Sequence, residues 1–85
     1  MKYSINITST ALKSYQKIND PMKTQIKNKI DSLSLKGLEC AGIKALTGEL
    51  KGLFRIRSGD FRIIFDIDSS EINIIAIAHR KNSYR

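Results

Sequence analysis

Cysteine, proline and histidine each occur once in these 85 residues, and tryptophan does not occur. The lone Cys40 excludes an internal disulfide, and one cysteine with one histidine cannot assemble a metal site of ordinary type. With no catalytic partner near it in the sequence, Cys40 reads as a loop spectator or a small core filler. No apolar run approaches the ~20 residues that a bilayer span needs, so a membrane-spanning helix is excluded. The opening residues alternate polar and apolar, without the hydrophobic run and small-residue cleavage site of a signal peptide, and the cytoplasm is the expected compartment. Internal repeats, low-complexity stretches and a phosphate-binding glycine motif are missing. Acidic residues are scarce: eight Asp and Glu stand against fifteen Lys and Arg, a net charge of +7. That balance implies attraction to an acidic partner, most often nucleic acid or an acidic protein. A length of 85 residues predicts one domain, 1–85, that uses nearly all its apolar side chains in a single core.

Within those bounds the pattern is α+β. Tyr3, Ile5 and Ile7 alternate with Ser4 and Asn6, predicting a first strand with one buried face. Ser9 or Thr10 offers an N-cap for a helix with apolar positions Ala11, Leu12, Tyr15 and Ile18. Asn19-Asp20 ends it, and Pro21 both disfavours helix for the residue before it and can open the next one. Met22, Ile26, Ile30 and Leu33 form the stripe of a second helix, closed by Gly37, with Lys23, Lys27, Lys29 and Lys36 mostly outside it. Residues 38–51, punctuated by Gly42 and Gly48, read as a loop with one turn of order. Strands over 52–58, 61–68 and 71–79 complete the order β-α-α-β-β-β, an antiparallel sheet with a helical hairpin packed on one face.

The basic residues divide along the chain. Every one before Lys51 is a lysine, and the arginines are Arg55, Arg57, Arg62, Arg80 and Arg85. Arginine presents a planar fork suited to phosphate oxygens, whereas lysine is a diffuse point charge, so the C-terminal third reads as a site and the lysines as solvated exterior. In the central strands Phe54, Ile56, Phe61, Ile63, Phe65 and Ile67 share one face, and Leu53, Arg55, Arg57, Arg62 and Ile64 the other. Gly59-Asp60 predicts a two-residue turn, with glycine supplying the positive φ, and hence Phe54 opposite Phe65, Ile56 opposite Ile63 and Arg57 opposite Arg62. Like charges facing each other are destabilising by roughly a few tenths to 1 kcal/mol, so the arginine pair asks for an anion such as phosphate. Continuing the register through Ser69-Ser70 places Ile72, Ile74, Ala76 and Ala78 on the core face and Ile75, Ile77 and His79 on the arginine face.

The run Gly52-Leu53-Phe54-Arg55-Ile56-Arg57-Ser58-Gly59-Asp60-Phe61-Arg62, followed by His79-Arg80-Lys81-Asn82-Ser83-Tyr84-Arg85, resembles the RelE/ParE toxin superfamily, and within it the RelE branch. The resemblance extends over nearly the whole chain. It implies a RelE-like, microbial-ribonuclease-like fold and a toxin of a type II toxin–antitoxin pair. The implied activity is an endoribonuclease that cuts messenger RNA in the ribosomal A site with no metal or other cofactor. The implied partners are a cognate acidic antitoxin, the ribosome and its message, with no membrane, and with DNA met only through a toxin–antitoxin complex. By motif position the resemblance assigns Arg57, Arg62, His79, Arg80 and Tyr84 to catalysis, and Arg55, Lys51, Lys81 and Arg85 to RNA binding.

Those residue types suit the chemistry. Cleavage without a metal proceeds by in-line attack of the 2'-hydroxyl on its own phosphate, which needs a base, cations for the developing charge and an acid for the leaving oxygen. Arginines stay protonated, so they are stabilisers of charge rather than bases. Histidine as a residue type titrates near ~6.5, which makes His79 the expected proton-transfer group. Tyr84 is expected to stack on a base, worth about 1 to 3 kcal/mol, or to assist proton transfer. Two alternatives stand beside the nuclease: a ParE-like toxin that inhibits DNA gyrase by binding it, and an inactive RNA-binding relative. Arg57, Arg62, His79, Arg80 and Tyr84 together favour the nuclease, because a pure protein binder has no need of that cluster.

Overall fold

The first strand forms over Ser4–Ile7 (β1), but its partner is distant in the chain: β1 runs parallel to Glu71–His79 (β5), with Ile5 beside Ile72 and Ile7 beside Ile74. The structure, a computed structural model, describes residues 3–82. Five strands make one sheet in the order β1-β5-β4-β3-β2, where β2 is Ile43–Ala45, β3 Phe54–Ser58 and β4 Phe61–Asp68. The α+β architecture with a helical pair on one face is as the sequence predicts. Two features differ. The sheet is mixed, because β1 enters at the edge alongside β5 in the same direction. The segment 38–51, read as a loop, also contributes β2, which pairs antiparallel with β3 at Ile43–Ile56, Lys44–Arg55 and Ala45–Phe54.

Local chemistry accounts for the helices. Helix α1 (Ser9–Gln16) is capped by Thr8, one residue earlier than expected, whose hydroxyl accepts from the Ala11 amide at 3.2 Å. This satisfies one of the donors a helix start leaves unpaired. Helix α2 (Met22–Lys36) follows Pro21, and its Thr24 amide and hydroxyl donate to the Asp20 carboxylate at 3.1 and 2.7 Å. Its end is fixed by Gly37, which sits at φ +57 with its amide donating to the Leu33 carbonyl. Only glycine fits here: a Cβ would also lie 2.5 Å from the Tyr3 ring.

The core lies between the helices and the inner sheet face. Ile18, Ile26, Ile30 and Leu33 from the helical half meet Ile56, Ile63, Phe65, Ile72, Ile74 and Ile77, with Cys40 as a buried filler. Leu12, expected in the core, is 41% exposed. Among the described residues no helix is long and apolar enough to cross a membrane.

The hairpin register is the expected one, with Phe54–Phe65, Ile56–Ile63 and Arg57–Arg62 in pairs and Gly59 at φ +59 in the turn. The next register is not. Pairing runs Phe61–His79, Ile63–Ile77, Ile64–Ala76 and then Phe65–Ile74, so Ile75 is an extra residue on β5. Such a bulge exchanges the two faces beyond it. Ile77 is therefore a core residue, only 4% exposed, and Ala76 and Ala78 stand with Ile64 and Arg62 on the opposite face. His79 aligns with Phe61 on the helix side, not with the arginines.

A cationic sheet face as candidate functional site

Because β3 and β4 alternate strictly, burying Ile56, Ile63 and Phe65 forces Arg55, Arg57, Arg62 and Ile64 to the face away from the helices. Two rows result. One crosses the sheet from Arg57 to Arg62 to Ala78; the other runs from Lys44 through Arg55 and Ile64 to Ala76. Rows two residues apart along a strand are separated by about 7 Å, comparable with the spacing of successive phosphates on a nucleic-acid strand. The two alanines keep the floor low beside the arginines, so a backbone and its sugar can approach the guanidinium groups. Lys44 is the member that sequence reasoning missed: a three-residue strand carries no legible period, and its alignment with Arg55 appears only through pairing with β3.

Electrostatically this face is unsatisfied. Arg57 is exposed and makes no ion pair among the described residues, and the Nε of Arg62 is buried without a hydrogen-bond partner there. A buried donor left unpaired costs about 1–3 kcal/mol, more when charged. Two opposed guanidiniums, one with a shielded donor left over, fit an oxyanion better than they fit each other.

Arg80 is brought to the same end of the sheet by the hairpin turn. Its amide donates to the Asp60 carbonyl at 2.7 Å, and its Nε lies 3.6 Å from an Asp60 carboxylate oxygen. The side chains are 61% and 55% exposed, so the ion pair orients Arg80 more than it stabilises the fold. Lys81 follows in the 3₁₀ turn Arg80–Asn82 and is exposed. The structure thus gathers Arg57, Arg62, Arg80 and Lys81 near the Gly59-Asp60 turn, with Arg55 and Lys44 one row away. Lys51 is set apart: it caps the 3₁₀ turn Gly48–Leu50, before β3 begins and at the end of that strand remote from the hairpin. Tyr84 and Arg85 lie outside the described residues.

His79 is placed on the helix side of the sheet, across from Phe61 and away from the face that carries Arg57 and Arg62. Its ring meets Phe61 edge-on at 5.1 Å, and it lines an open cavity of about 510 Å³ with Lys17, Ile18, Met22 and Ile77 between α1 and the sheet.

The remainder of the outer face has the opposite character. Asn73 donates to Asp66 at 2.8 Å, and Asn6 donates to Asn73 at 3.2 Å and to Glu71 at 3.4 Å, forming a polar ladder across β4, β5 and β1. The cations of β2 to β4 and this acidic, internally satisfied ladder divide the face, and a polyanion is directed to the former.

Residues 5–84 match the family described as ParE toxin of type II toxin-antitoxin system, parDE. The chain is 32% identical over 85 residues to Toxin RelE of Mycobacterium tuberculosis (strain ATCC 25618 / H37Rv), which covers 98% of this chain and 87% of that protein. Among solved structures, the RelBE2 toxin–antitoxin complex from Mycobacterium tuberculosis is similar at a TM-score of 0.82 and 26% identity, over 94% of this chain and 100% of that one. The archaeal RelE–RelB complex from Pyrococcus horikoshii OT3 shares the fold at a TM-score of 0.77 and 22% identity, over 98% of this chain and 100% of that one.

Proposed function

From the premise that this chain belongs to the ParE toxin family of type II toxin–antitoxin systems, within the RelE/ParE superfamily, we propose that it is a metal-independent endoribonuclease that cuts messenger RNA on the ribosome. The observation that carries this reading is the Arg57–Arg62 pair, cross-strand neighbours with the shielded Nε of Arg62 left without a partner among the described residues. In the cleavage step the 2'-hydroxyl oxygen bonds to the adjacent phosphorus and the bond to the 5'-oxygen breaks. One proton leaves the 2'-hydroxyl and one reaches the departing oxygen. Arg57, Arg62 and Arg80 act where negative charge develops on the phosphorane oxygens; fixed cations in such a place are worth about 10²- to 10³-fold each. Arg55, Lys44 and Lys81 hold flanking phosphates, with Lys51 more peripheral; Arg85 is assigned to RNA binding by the family motif alone. Tyr84, assigned by the family motif, stacks on a base or carries a proton. Among the described residues the cationic face carries few proton-transfer groups, which supports a dependence on the ribosome, whose RNA would supply them.

A cognate acidic antitoxin is the natural inhibitor. The net charge of +7 and the likeness to chains solved as toxin–antitoxin complexes support this, and DNA is reached only through that complex.

A second reading, a gyrase-binding toxin that cuts nothing, is favoured by the ParE description of the matching family. Primer extension on a reporter message in a purified translation system separates the two. Cuts confined to ribosome-bound message are expected; absence of cuts together with blocked DNA supercoiling by gyrase would establish the second reading.

A further inference from the structure

His79 is the one imidazole in the chain, and its surroundings describe a task other than proton transfer. The register shift at Ile75 puts it on the helix side of the sheet, across from Phe61. The Nδ1 atom accepts a hydrogen bond from the backbone amide of Lys81 at 3.1 Å. An acceptor at Nδ1 assigns the proton of the neutral ring to Nε2. The bond spans residues i and i+2, the geometry of an Asx turn, in which an Asn or Asp oxygen at the δ position accepts from the amide two residues on. It closes the 3₁₀ turn Arg80–Asn82 where the chain leaves the sheet. Among the described residues the turn is also held to the hairpin by Asp60, whose carbonyl accepts from the Arg80 amide and whose carboxylate faces the Arg80 Nε.

We propose that His79 is a positioning residue: through Nδ1 it caps the Arg80–Asn82 turn, and the Phe61 edge contact fixes the ring for that purpose. It thereby sets Arg80 and Lys81 relative to Arg57 and Arg62, and it transfers no proton. The functional half of this inference rests on the nuclease reading; the structural half does not.

Asparagine and leucine have nearly the same shape, but only asparagine places an acceptor where Nδ1 stands. In the purified translation assay His79→Asn is expected to stay within about threefold of the parent and to keep its pH profile. His79→Leu is expected to fall about tenfold, the scale of one lost hydrogen bond. A general acid or base is worth 10²- to 10⁴-fold, so an equal loss of 10²-fold or more in both variants, with a changed pH profile for His79→Asn, would overturn the proposal. Equal activity in all three proteins would overturn it as well. Amide hydrogen exchange at Lys81 gives a reading independent of RNA: slow in the parent and in His79→Asn, faster in His79→Leu. If the parent cuts no message, the nuclease reading fails, and exchange at Lys81 still decides whether His79 is a cap; equal exchange rates in the three proteins would refute it.

Discussion

At the residue scale, the informative positions are those where two requirements meet on one side chain. Arg57 and Arg62 face each other across an antiparallel pair, so the fold carries a repulsion that a bound anion would relieve. Replacing Arg57 by threonine is expected to raise stability by a few tenths of a kcal/mol in urea denaturation, since it removes the like-charge pair and adds a good strand former, while weakening cleavage. Gly37 shows the converse, a residue fixed by structure alone. With φ +57 and the Tyr3 ring 2.5 Å from the site of a Cβ, Gly37→Ala is expected to destabilise the protein by about 1–3 kcal/mol or more, measured the same way. Gly37 is legible in the sequence as a helix terminator. The ring of Tyr3 lying against it is not, because that contact joins residues far apart in the chain.

At the element scale, what was legible in the sequence was whatever is local. The two apolar stripes gave the helices, and the Gly59-Asp60 signal gave the hairpin and the arginine face with its register. Non-local pairing was hidden: β1 runs beside β5, and the three residues of β2 become a strand only against β3. The bulge on β5 was hidden for a different reason. Ile74, Ile75, Ala76, Ile77 and Ala78 are apolar at every position, so this stretch has no period of two from which a shift can be read. The shift moved His79 off the arginine face and Ile77 into the core. It can be tested by substitution: Ile77→Ala is expected to cost about 2–5 kcal/mol, as for a core isoleucine, and Ala78→Ser no more than about 0.5 kcal/mol. An unbroken register would move the larger cost away from position 77, and thermal unfolding of the two variants distinguishes the cases.

At the scale of the whole molecule, a net charge of +7 is concentrated usefully only because the sheet separates its cations from the Asp66–Asn73–Asn6 ladder. Binding through Lys44, Arg55, Arg57 and Arg62, with one phosphate each, is expected to weaken on the order of 10²-fold between 50 and 200 mM salt, from a slope of roughly −0.7 to −0.9 per phosphate. Titration of a single-stranded RNA at several salt concentrations measures that slope. Lys44→Ala is expected to lower it by nearly one phosphate, and Asn73→Ala to leave it unchanged. The cationic face as a phosphate-cleaving surface is tested most directly by the rate at which ribosome-bound message is cut by Arg62→Ala beside the parent protein, with folding of both checked by circular dichroism. A fall of about 10²- to 10³-fold in a folded variant is the expected result; an unchanged rate in a folded variant would contradict it.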